Sequence, residues 1–544
     1  MKRKLLAVIC SVVMAMTMCV GVAFADTTCS ITVNTTEPGH TYKAYQVFKG
    51  TLSKDKNTLS NVEWGDGVDQ TKVVDGKNLK AAVQEISVGT GDNAVSFAGC
   101  DTPAKVAEKL GANQTAAGKT DNDVVDAFAK VVAKYLSSPQ QTASVAPEAA
   151  TASYVLSGLQ PGYYIVTDDV ANGSNLAESK YLVQLTNNVN MNPKADKPTV
   201  EKKVQEFNDT AGGEGVWQDA ADYDGADTIK FQLKGTVPSR IADYSTYKYV
   251  FTDTLSKGLD VDLDSVKVYV TTEDSVGSTA PLSNANNACY TVSSVTTDEA
   301  SGNKTFTITF TDLKKVPGVA AGANVFVQYD ATFNENVAYG SAGNLNTVNL
   351  EYSNNPNGEG TGKTPDDKVI VFTFKATVDK VDKDSQPLKG AGFTLYKQTP
   401  KSDSATGEKE WTRVGDELKG QEMTKFEFKG LDSGIYKLEE TTVPDGYNRA
   451  AAIEFEVRAS YDALGDDPRF TELKIYKPGT DTEIAEFEID SAKNASINIT
   501  NLAGSVLPST GGIGTTIFYV VGACLVVIAG VALVAKRRAA ARRK

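Results

Sequence analysis

Alternating apolar and polar residues dominate the chain after its first 25 residues. Short runs rich in Val, Ile, Thr, Tyr and Phe, such as YYIVTDD, KTFTITFTDL and VFVQYDATF, are separated by Gly, Asn and Asp. A period of two, broken by turn residues at such intervals, is typical of the half-buried strands of sandwich domains. The pattern therefore predicts an all-β chain of tandem immunoglobulin-like β-sandwich domains.

One region has a different period. Between residues 77 and 136, the segments NLKAAVQEI, TPAKVAEKLGA and DNDVVDAFAKVVAKYL space their apolar residues as amphipathic helices do. We therefore expect a helical insertion in the first domain. Proline and charge near 192–199 and 364–371 mark two boundaries. They predict a first domain (26–193), a middle domain (194–371) and a last domain (372–504).

Both ends of the chain carry membrane-directed segments. Basic residues, an apolar run and an A-x-A sequence ending at Ala25 predict a secretory signal peptide over residues 1–25. An uncleaved signal anchor is one alternative, and Cys19 raises a lipoprotein as another. Residues 513–535 carry no charge and, as a helix of about 34 Å, would cross a bilayer. The basic tail 536–544 then faces the cytoplasm, which places the remainder outside the cell.

The charge, histidine content and cysteine content of the chain disfavour several classes of function. The net charge is −13, and removing both end segments takes away nine basic residues and no acidic one. Such acidity argues against nucleic acid as a partner. The single histidine, His40, disfavours hydrolytic triads and zinc sites, so we expect no metal, no cofactor and no enzyme. Outside the end segments, Cys29 and Cys100 are candidates for a disulfide, and Cys289 makes the count odd.

Two lysines occupy positions where alternation predicts core. Lys202 lies in phase with Val200 and Val204, and Lys380 lies in phase with Val378 and the apolar residues before it. Burying an unpartnered ammonium is costly, so such a lysine tends to lose its proton. A buried salt bridge, or an edge strand that turns the lysine to solvent, is the alternative interpretation.

Asparagines and acids share this placement. Asn346 and Asn501 are in phase with the apolar residues of their strands, as are Asp253 and Glu440. A neutral lysine is a nucleophile, and a carboxyl whose pKa is raised can protonate a carboxamide. Attack of lysine on asparagine would expel ammonia and leave an isopeptide bond, with proximity in the core supplying the rate. The middle and last domains thus each contain the three residue types for a self-made cross-link.

Several motifs resemble those of the backbone pilins of Gram-positive bacteria. YKLEETTVPDGY (436–447) resembles their E-box, Y-x-L-x-E-T-x-A-P-x-G-Y, with Val443 in place of Ala, and LPSTG resembles their L-P-x-T-G sorting signal. KVDKDSQPLKGAGFTLYK resembles the start of a collagen-adhesin B-type domain, while KYVFTDTLSKGL and LNTVNLEYSNNPN resemble the central pilin domain. The resemblance covers essentially the whole chain.

The resemblance assigns roles to the residues already singled out. It implies a bond between Lys380 and Asn501 promoted by Glu440 in the last domain. In the middle domain it implies Lys202, Asn346 and Asp253, with Lys203 and Asn349 as neighbouring alternatives. In the first domain Asp168 takes the acid position, but CSITVN offers no matching lysine, so no equivalent bond is expected there. A disulfide would then supply part of the stapling, and Lys43 is the lysine that could have another partner.

The same resemblance gives the segment 505–512 a function. Pro508 and Gly511 interrupt regular structure, so an extended, exposed backbone is expected. A sortase would recognise the motif, cut between Thr510 and Gly511, and hold Thr510 as a thioester. A plain linker ahead of a membrane helix is the alternative. The residues of the motif are Leu507, Pro508, Ser509, Thr510 and Gly511.

An amine must resolve that thioester. Pilins use the lysine of W-x-x-x-V-x-V-Y-P-K, and the matching stretch NNVNMNPK ends at Lys194, retaining Val189 and Pro193 but lacking the tryptophan and tyrosine. Lys197 and the lysines after it are rivals. Joining Thr510 of one subunit to Lys194 of the next would give a head-to-tail polymer.

The sequence therefore predicts the shaft subunit of a secreted, cell wall-anchored pilus. The expected partners are pilus-specific and housekeeping sortases, identical subunits, minor pilins and peptidoglycan. The alternative is an unpolymerised or minor wall-anchored adhesin that binds a host ligand.

Overall fold

A computed structural model describes most of the chain. The described residues run from 28 to 541, apart from 36, 54–57, 90–93, 113–122, 150–151, 175, 177–179, 192–196, 209, 211–214, 286–287, 357, 402–407, 466 and 505–512. They are mostly β-strand. Each sheet takes all its strands from one of the three predicted domain ranges.

The first region is a sandwich with a helical layer on one side. Its elements are β1 Cys29–Val33, β2 His40–Leu52, β3 Leu59–Trp64, α1 Leu79–Gln84, β4 Ser87–Val88, β5 Val95–Ser96, α2 Pro103–Ala112, α3 Asp123–Val132, β6 Gln141–Ser144, β7 Tyr154–Leu159, β8 Gly162–Val170, β9 Lys180–Leu185 and β10 Val189–Met191. One sheet has the order β10-β1-β7, the other β3-β2-β8-β9, with β6 paired to β2.

Alternation explains why strand β2 has two packing faces. One face, including Tyr42 and Ala44, joins the core between the two sheets. Farther along, Phe48 packs on Phe128 of α3, with ring centroids 5.7 Å apart. The helix α1 begins where the Asn78 side chain accepts a hydrogen bond from the Ala81 amide at 3.0 Å. The predicted helical insertion is confirmed.

The middle region is a larger sandwich. Its strands are β11 Val200–Glu206, β12 Val216–Gln218, β13 Ala220–Asp222, β14 Ile229–Thr236, β15 Tyr249–Leu255, β16 Leu259–Thr271, β17 Thr291–Val292, β18 Thr296–Thr297, β19 Lys304–Phe310, β20 Asn324–Phe333, β21 Asn344–Ser353, β22 Thr361–Lys363 and β23 Asp367–Phe372. The sheet β12-β11-β14-β20-β16 faces the sheet β13-β23-β21-β15-β19-β17. Aromatic and aliphatic side chains from both sheets form one continuous core.

The last region has two further sheets and the C-terminal helix. Its elements are β24 Phe374–Val381, β25 Gly392–Pro400, β26 Lys409–Lys419, β27 Lys425–Leu431, β28 Gly434–Thr442, β29 Ile453–Asp462, β30 Arg469–Tyr476, β31 Phe487–Ile489, β32 Ala495–Thr500 and α4 Ile513–Ala541. The sheet orders are β27-β24-β32-β31 and β26-β25-β28-β29-β30. The first strand, β24, pairs in parallel with the last, β32.

Two compact units divide these elements. The first contains the described residues up to Phe374 together with 429–433 and 458–473. The second contains 375–428, 434–457 and the described residues from 474 onward. The tip of the β29–β30 hairpin thus belongs to the first unit, where Tyr461 stacks on Phe372 at a centroid distance of 5.9 Å.

Candidate functional site

The middle region brings a lysine, an aspartate and an asparagine together in its core. Lys202 on β11 projects inward from one sheet, opposite Leu233 of β14. Asp253 on β15 and Asn346 on β21 project inward from the facing sheet, two positions apart on neighbouring strands. All three residues have 0% exposure. The inward phase predicted from the sequence has therefore placed three polar side chains in one dry space.

Direct hydrogen bonds join the three side chains through a tyrosine. The Lys202 ammonium donates to Asp253 Oδ2, and it also donates to the Tyr329 hydroxyl at 2.9 Å. Asn346 Nδ2 donates to the same hydroxyl at 2.8 Å. Lys202 Nζ lies 5.3 Å from the centroid of the Phe231 ring. The amine and the carboxamide that would react thus share one hydrogen-bonding partner.

Burial favours the neutral forms of the charged pair. It lowers the pKa of Lys202, against the opposing charge of Asp253. It raises the pKa of Asp253, against the opposing charge of Lys202. Passing one proton from the ammonium to the carboxylate would give an amine and a carboxylic acid. Those are the protonation states in which lysine is a nucleophile and aspartate is an acid.

Two oxygens at this site have no hydrogen-bond partner among the described residues. They are Asp253 Oδ1 and Asn346 Oδ1, both fully enclosed. An unpaired buried acceptor costs about 1–3 kcal/mol. If Asp253 carries a proton, its carboxyl can donate a hydrogen bond. The two acceptors without a donor therefore agree with a neutral Asp253.

The last region holds a second cluster at its first and last strands. Lys380 on β24 pairs with Ile499 on β32, and Asn501 directly follows β32. The Lys380 ammonium donates to the backbone oxygens of Ile499 at 2.9 Å and Val381 at 3.1 Å. Lys380 is 0% and Asn501 1% exposed. Burial lowers the pKa of Lys380, against the nearby charge of Glu440.

Glu440 on β28 contacts the asparagine of this cluster. Its Oε1 accepts a hydrogen bond from Asn501 Nδ2 at 2.7 Å, and its Oε2 accepts one from the Ala450 amide at 2.7 Å. Asn501 Oδ1 is enclosed without a partner among the described residues. The carboxyl is thus placed on the nitrogen that would leave as ammonia.

The neighbouring alternatives point away from the middle core. Lys203 forms an ion pair with Asp219 at 2.5 Å and is one-third exposed at its side chain. Asn349 donates to Asp366 at 3.0 Å in an exposed contact. Alternation along β11 and β21 turns these side chains outward, so Lys202 and Asn346 are the pair that faces the acid.

The first region has a different buried polar contact. Asp168 Oδ1 lies 2.7 Å from His40 Nδ1, and both residues are less than 5% exposed. The Tyr154 hydroxyl on the facing sheet accepts a hydrogen bond from the His40 amide at 3.2 Å. Lys43 instead pairs with Asp169 at 2.5 Å at a partly exposed position. No lysine is buried among the described residues of this region.

The candidate disulfide is not formed. Cys29 and Cys100 are both thiols in the structure. Cys29 packs between the two sheets with Ile31, whereas Cys100 packs beneath the helices with Phe97. The sheet β3-β2-β8-β9 lies between these two cores, so the cysteine count alone suggested a pairing that the layers separate.

The segments proposed for processing lie outside the described residues. These are the motif Leu507–Gly511 and Lys194. The helix α4 that follows the motif includes an apolar stretch, Ile517–Ala539, whose length and mean hydropathy of 2.8 are sufficient to cross a membrane. No group of three or more His, Cys, Asp or Glu could hold a metal ion in the part of the chain that the structure describes.

Sequence reasoning missed Tyr329 and the role of His40. Tyr329 is in phase with Val325 and Val327 on β20, so its hydroxyl is a polar group on an otherwise apolar inward face. His40 begins a strand whose alternate residues are buried, which gave a similar signal. Contacts to strands distant in sequence were needed to give either residue a partner.

Comparisons with known proteins agree with this architecture. Residues 374–464 match the family model described as the SpaA prealbumin-like fold domain, and residues 503–540 match the LPXTG cell wall anchor motif. A search of curated protein sequences gives no match. The chain is therefore a cell wall-anchored surface protein with a prealbumin-like domain.

Solved structures of pilins are similar to the chain at low identity. The T6 backbone pilin of serotype M6 Streptococcus pyogenes has a TM-score of 0.50 and 16% identity, with 89% of this chain and 100% of that chain covered. The full-length major pilin SpaD from Corynebacterium diphtheriae has a TM-score of 0.43 and 17% identity, with 89% and 99% covered. The two family matches support the resemblance to sortase-anchored backbone pilins, and the T6 pilin supports the fold.

Proposed function

We propose that this protein is the shaft subunit of a covalent pilus, cross-linked internally by two isopeptide bonds. The observation that carries the proposal is the pair of enclosed lysine, acid and asparagine clusters in a chain that ends in a cell wall anchor motif. A buried ion pair alone stabilises a protein weakly, if at all, because both charges lose their hydration. A covalent bond would remove the buried charge of the lysine and would stabilise the domain.

Each bond would form by attack of a neutral lysine on an asparagine. Lys202 Nζ attacks Asn346 Cγ with Asp253 as the acid, and Lys380 Nζ attacks Asn501 Cγ with Glu440 as the acid. The new carbon–nitrogen bond replaces the bond to Nδ2, which leaves with a transferred proton as ammonia. Each acid acts once in the life of the protein, so the chain is a self-modifying substrate and turns over no other molecule.

The positions of the bonds suit a fibre under tension. A bond from Lys380 to Asn501 would join the first strand of the last region to the residue after its last strand. Pulling force would then pass through the cross-link and leave most of the intervening strands unloaded. A bond from Lys202 to Asn346 would join the two sheets of the middle region in a similar way.

Polymerisation would use the ends of the subunit. A pilus-specific sortase would cut between Thr510 and Gly511, and the Thr510 thioester would be resolved by Lys194 of the next subunit. The helix α4 and the basic residues after it would hold the precursor at the membrane beside the enzyme. A housekeeping sortase would finally transfer the polymer to peptidoglycan, and minor pilins would use the same chemistry.

Gel electrophoresis of wall extracts tests the shaft function. The wild-type chain, expressed with its sortase, should form ladders that resist boiling in sodium dodecyl sulfate. Lys194→Ala should give single subunits, while Lys197→Ala, three residues farther along the chain, should retain the ladder. A single band from the wild type would contradict polymerisation and favour the wall-anchored adhesin.

A further inference from the structure

Tyr329 occupies a central position in the middle cluster. It lies on β20 with 1% exposure. Its ring stacks on Phe231 at a centroid distance of 5.4 Å and meets Phe306 edge-on at 5.2 Å. These contacts fix the ring, so the hydroxyl is held in one place among the polar groups of the cluster.

The hydroxyl accepts two hydrogen bonds within the cluster. A phenol has one proton to donate and two lone pairs. Tyr329 accepts from Lys202 Nζ at 2.9 Å and from Asn346 Nδ2 at 2.8 Å, so both lone pairs are occupied. It therefore touches the nitrogen that would form the new bond and also the nitrogen that would leave.

We propose that Tyr329 relays a proton from the attacking amine to the departing amide nitrogen during formation of the Lys202–Asn346 bond. This inference rests on the proposed function, since it requires that bond to form. After Nζ attacks Cγ, the new bond carries a surplus proton on Nζ, and Nδ2 needs one proton to leave as ammonia. The hydroxyl takes the first proton as it gives its own to Nδ2, and the phenol is regenerated.

The geometry of the acid explains why a relay is needed here. Asp253 accepts a hydrogen bond from Lys202, whereas Asn346 Nδ2, the nitrogen that would leave, donates its hydrogen bond to Tyr329. In the last region Glu440 bonds to Asn501 Nδ2 directly, so the acid itself can protonate the leaving group. Burial raises the pKa of Tyr329 well above its ordinary value, which disfavours a free phenolate and favours concerted transfer of the two protons.

The rate of bond formation tests the relay. The full chain is made by cell-free synthesis with lipid nanodiscs, synthesis is stopped, and the two cross-linked peptides are quantified by mass spectrometry over time. Tyr329→Phe should slow the Lys202–Asn346 bond by about 10²-fold or more, the usual contribution of a positioned proton-transfer group. The Lys380–Asn501 bond in the same molecules should keep its wild-type rate.

Tyr249→Phe is the matched control. Tyr249 is fully buried in the same core, but its hydroxyl donates to the backbone oxygen of Thr236 at 3.0 Å. Its removal should leave the rate of both bonds within about twofold. If Tyr329→Phe forms the middle bond as fast as the wild type, the relay is wrong. If the wild type itself forms no middle bond, the cross-linking part of the proposed function fails.

A second variant tests the relay if Tyr329→Phe fails to fold. Should proteolysis show that Tyr329→Phe unfolds the middle region, a fluorotyrosine placed at position 329 keeps the ring and the hydroxyl but makes the hydroxyl more acidic. A relay requires the bond-forming rate to change with that acidity. An unchanged rate would assign Tyr329 to packing and overturn the proposal.

Discussion

The middle and last regions contain the same three residue types in two different arrangements. In the middle region the acid contacts the lysine, and a tyrosine connects that lysine to the asparagine. In the last region the acid contacts the asparagine, and backbone oxygens hold the lysine. In the proposed reaction, the position of the acid would therefore decide which proton transfer another group has to supply.

The first region extends this comparison. Its acid, Asp168, faces a histidine on the adjacent strand of the same sheet. Since no buried lysine is described there, the contact can connect strands only non-covalently. The three regions therefore differ in how they hold strands together although each is a β-sandwich.

Removing the acids should give the largest effect. Asp253→Asn and Glu440→Gln keep the side-chain volume but remove the carboxyl that, in the proposed reaction, takes a proton from Lys202 or gives one to Asn501 Nδ2. Each variant should therefore slow its own bond by about 10²- to 10⁴-fold. Peptide mapping of the folded chain should show one bond lost and the other retained. Loss of both bonds in either variant would indicate misfolding and contradict two independent sites.

Removing the last cross-link should strongly destabilise its region. Asn501→Ala leaves Lys380 without a reaction partner, and by analogy with a disulfide closing a loop of about 100 residues the loss is about 4–5 kcal/mol. Calorimetry should show a lowered thermal transition for the last region. Lys383→Ala, at an exposed position, is the control and should leave the transition unchanged. Equal transitions in Asn501→Ala and the wild type would mean that no bond had formed.

Removing the histidine contact in the first region should reduce stability by a smaller amount. His40→Phe removes the hydrogen bond of the imidazole to buried Asp168 and should cost about 1–3 kcal/mol, as is typical when a buried polar group loses a partner. The control, Lys43→Ala, breaks the half-exposed pair with Asp169 and should cost less than about 1 kcal/mol. Thermal unfolding followed in both variants measures the difference, and equal losses would refute a special role for the buried contact.

The two compact units should also differ in pH response. Burial raises the pKa of Glu206, on the same strand as Lys202, from 4.5 to about 7, while its Oε2 accepts hydrogen bonds from Tyr461 and the Asp222 amide, with Asp432 nearby. Between these pH values the folded state keeps a proton that the unfolded state has released. Stability of the first unit should therefore fall as pH rises from 4.5 to 7 and level off above.

Glu206→Gln isolates this contribution. The variant keeps a polar side chain that cannot titrate, so its thermal transition should fall less than that of the wild type over the same pH range. The transition of the second unit serves as the internal reference. An identical pH slope in the wild type and the variant would show that Glu206 does not control the response.

Much of both candidate clusters could be predicted from alternation alone. Lys202, Lys380, Asn346 and Asn501 were assigned to inward faces, and the structure places all four there. Tyr329 escaped because a tyrosine on a core face is ordinary, and only its contacts with β11 and β21 distinguish it. The cysteine count left a Cys29–Cys100 disulfide open, because it carries no information about which layer holds each thiol.

The mass of the folded full chain, produced without sortase and with its signal peptide removed, tests the central claim most directly. We predict a mass lower than the sequence mass by two ammonia molecules. Lys202→Ala and Lys380→Ala should each restore one ammonia relative to their own sequence masses, and the double variant should restore both. A wild-type mass equal to the sequence mass would contradict the account, because the two enclosed clusters would then be unreacted polar contacts.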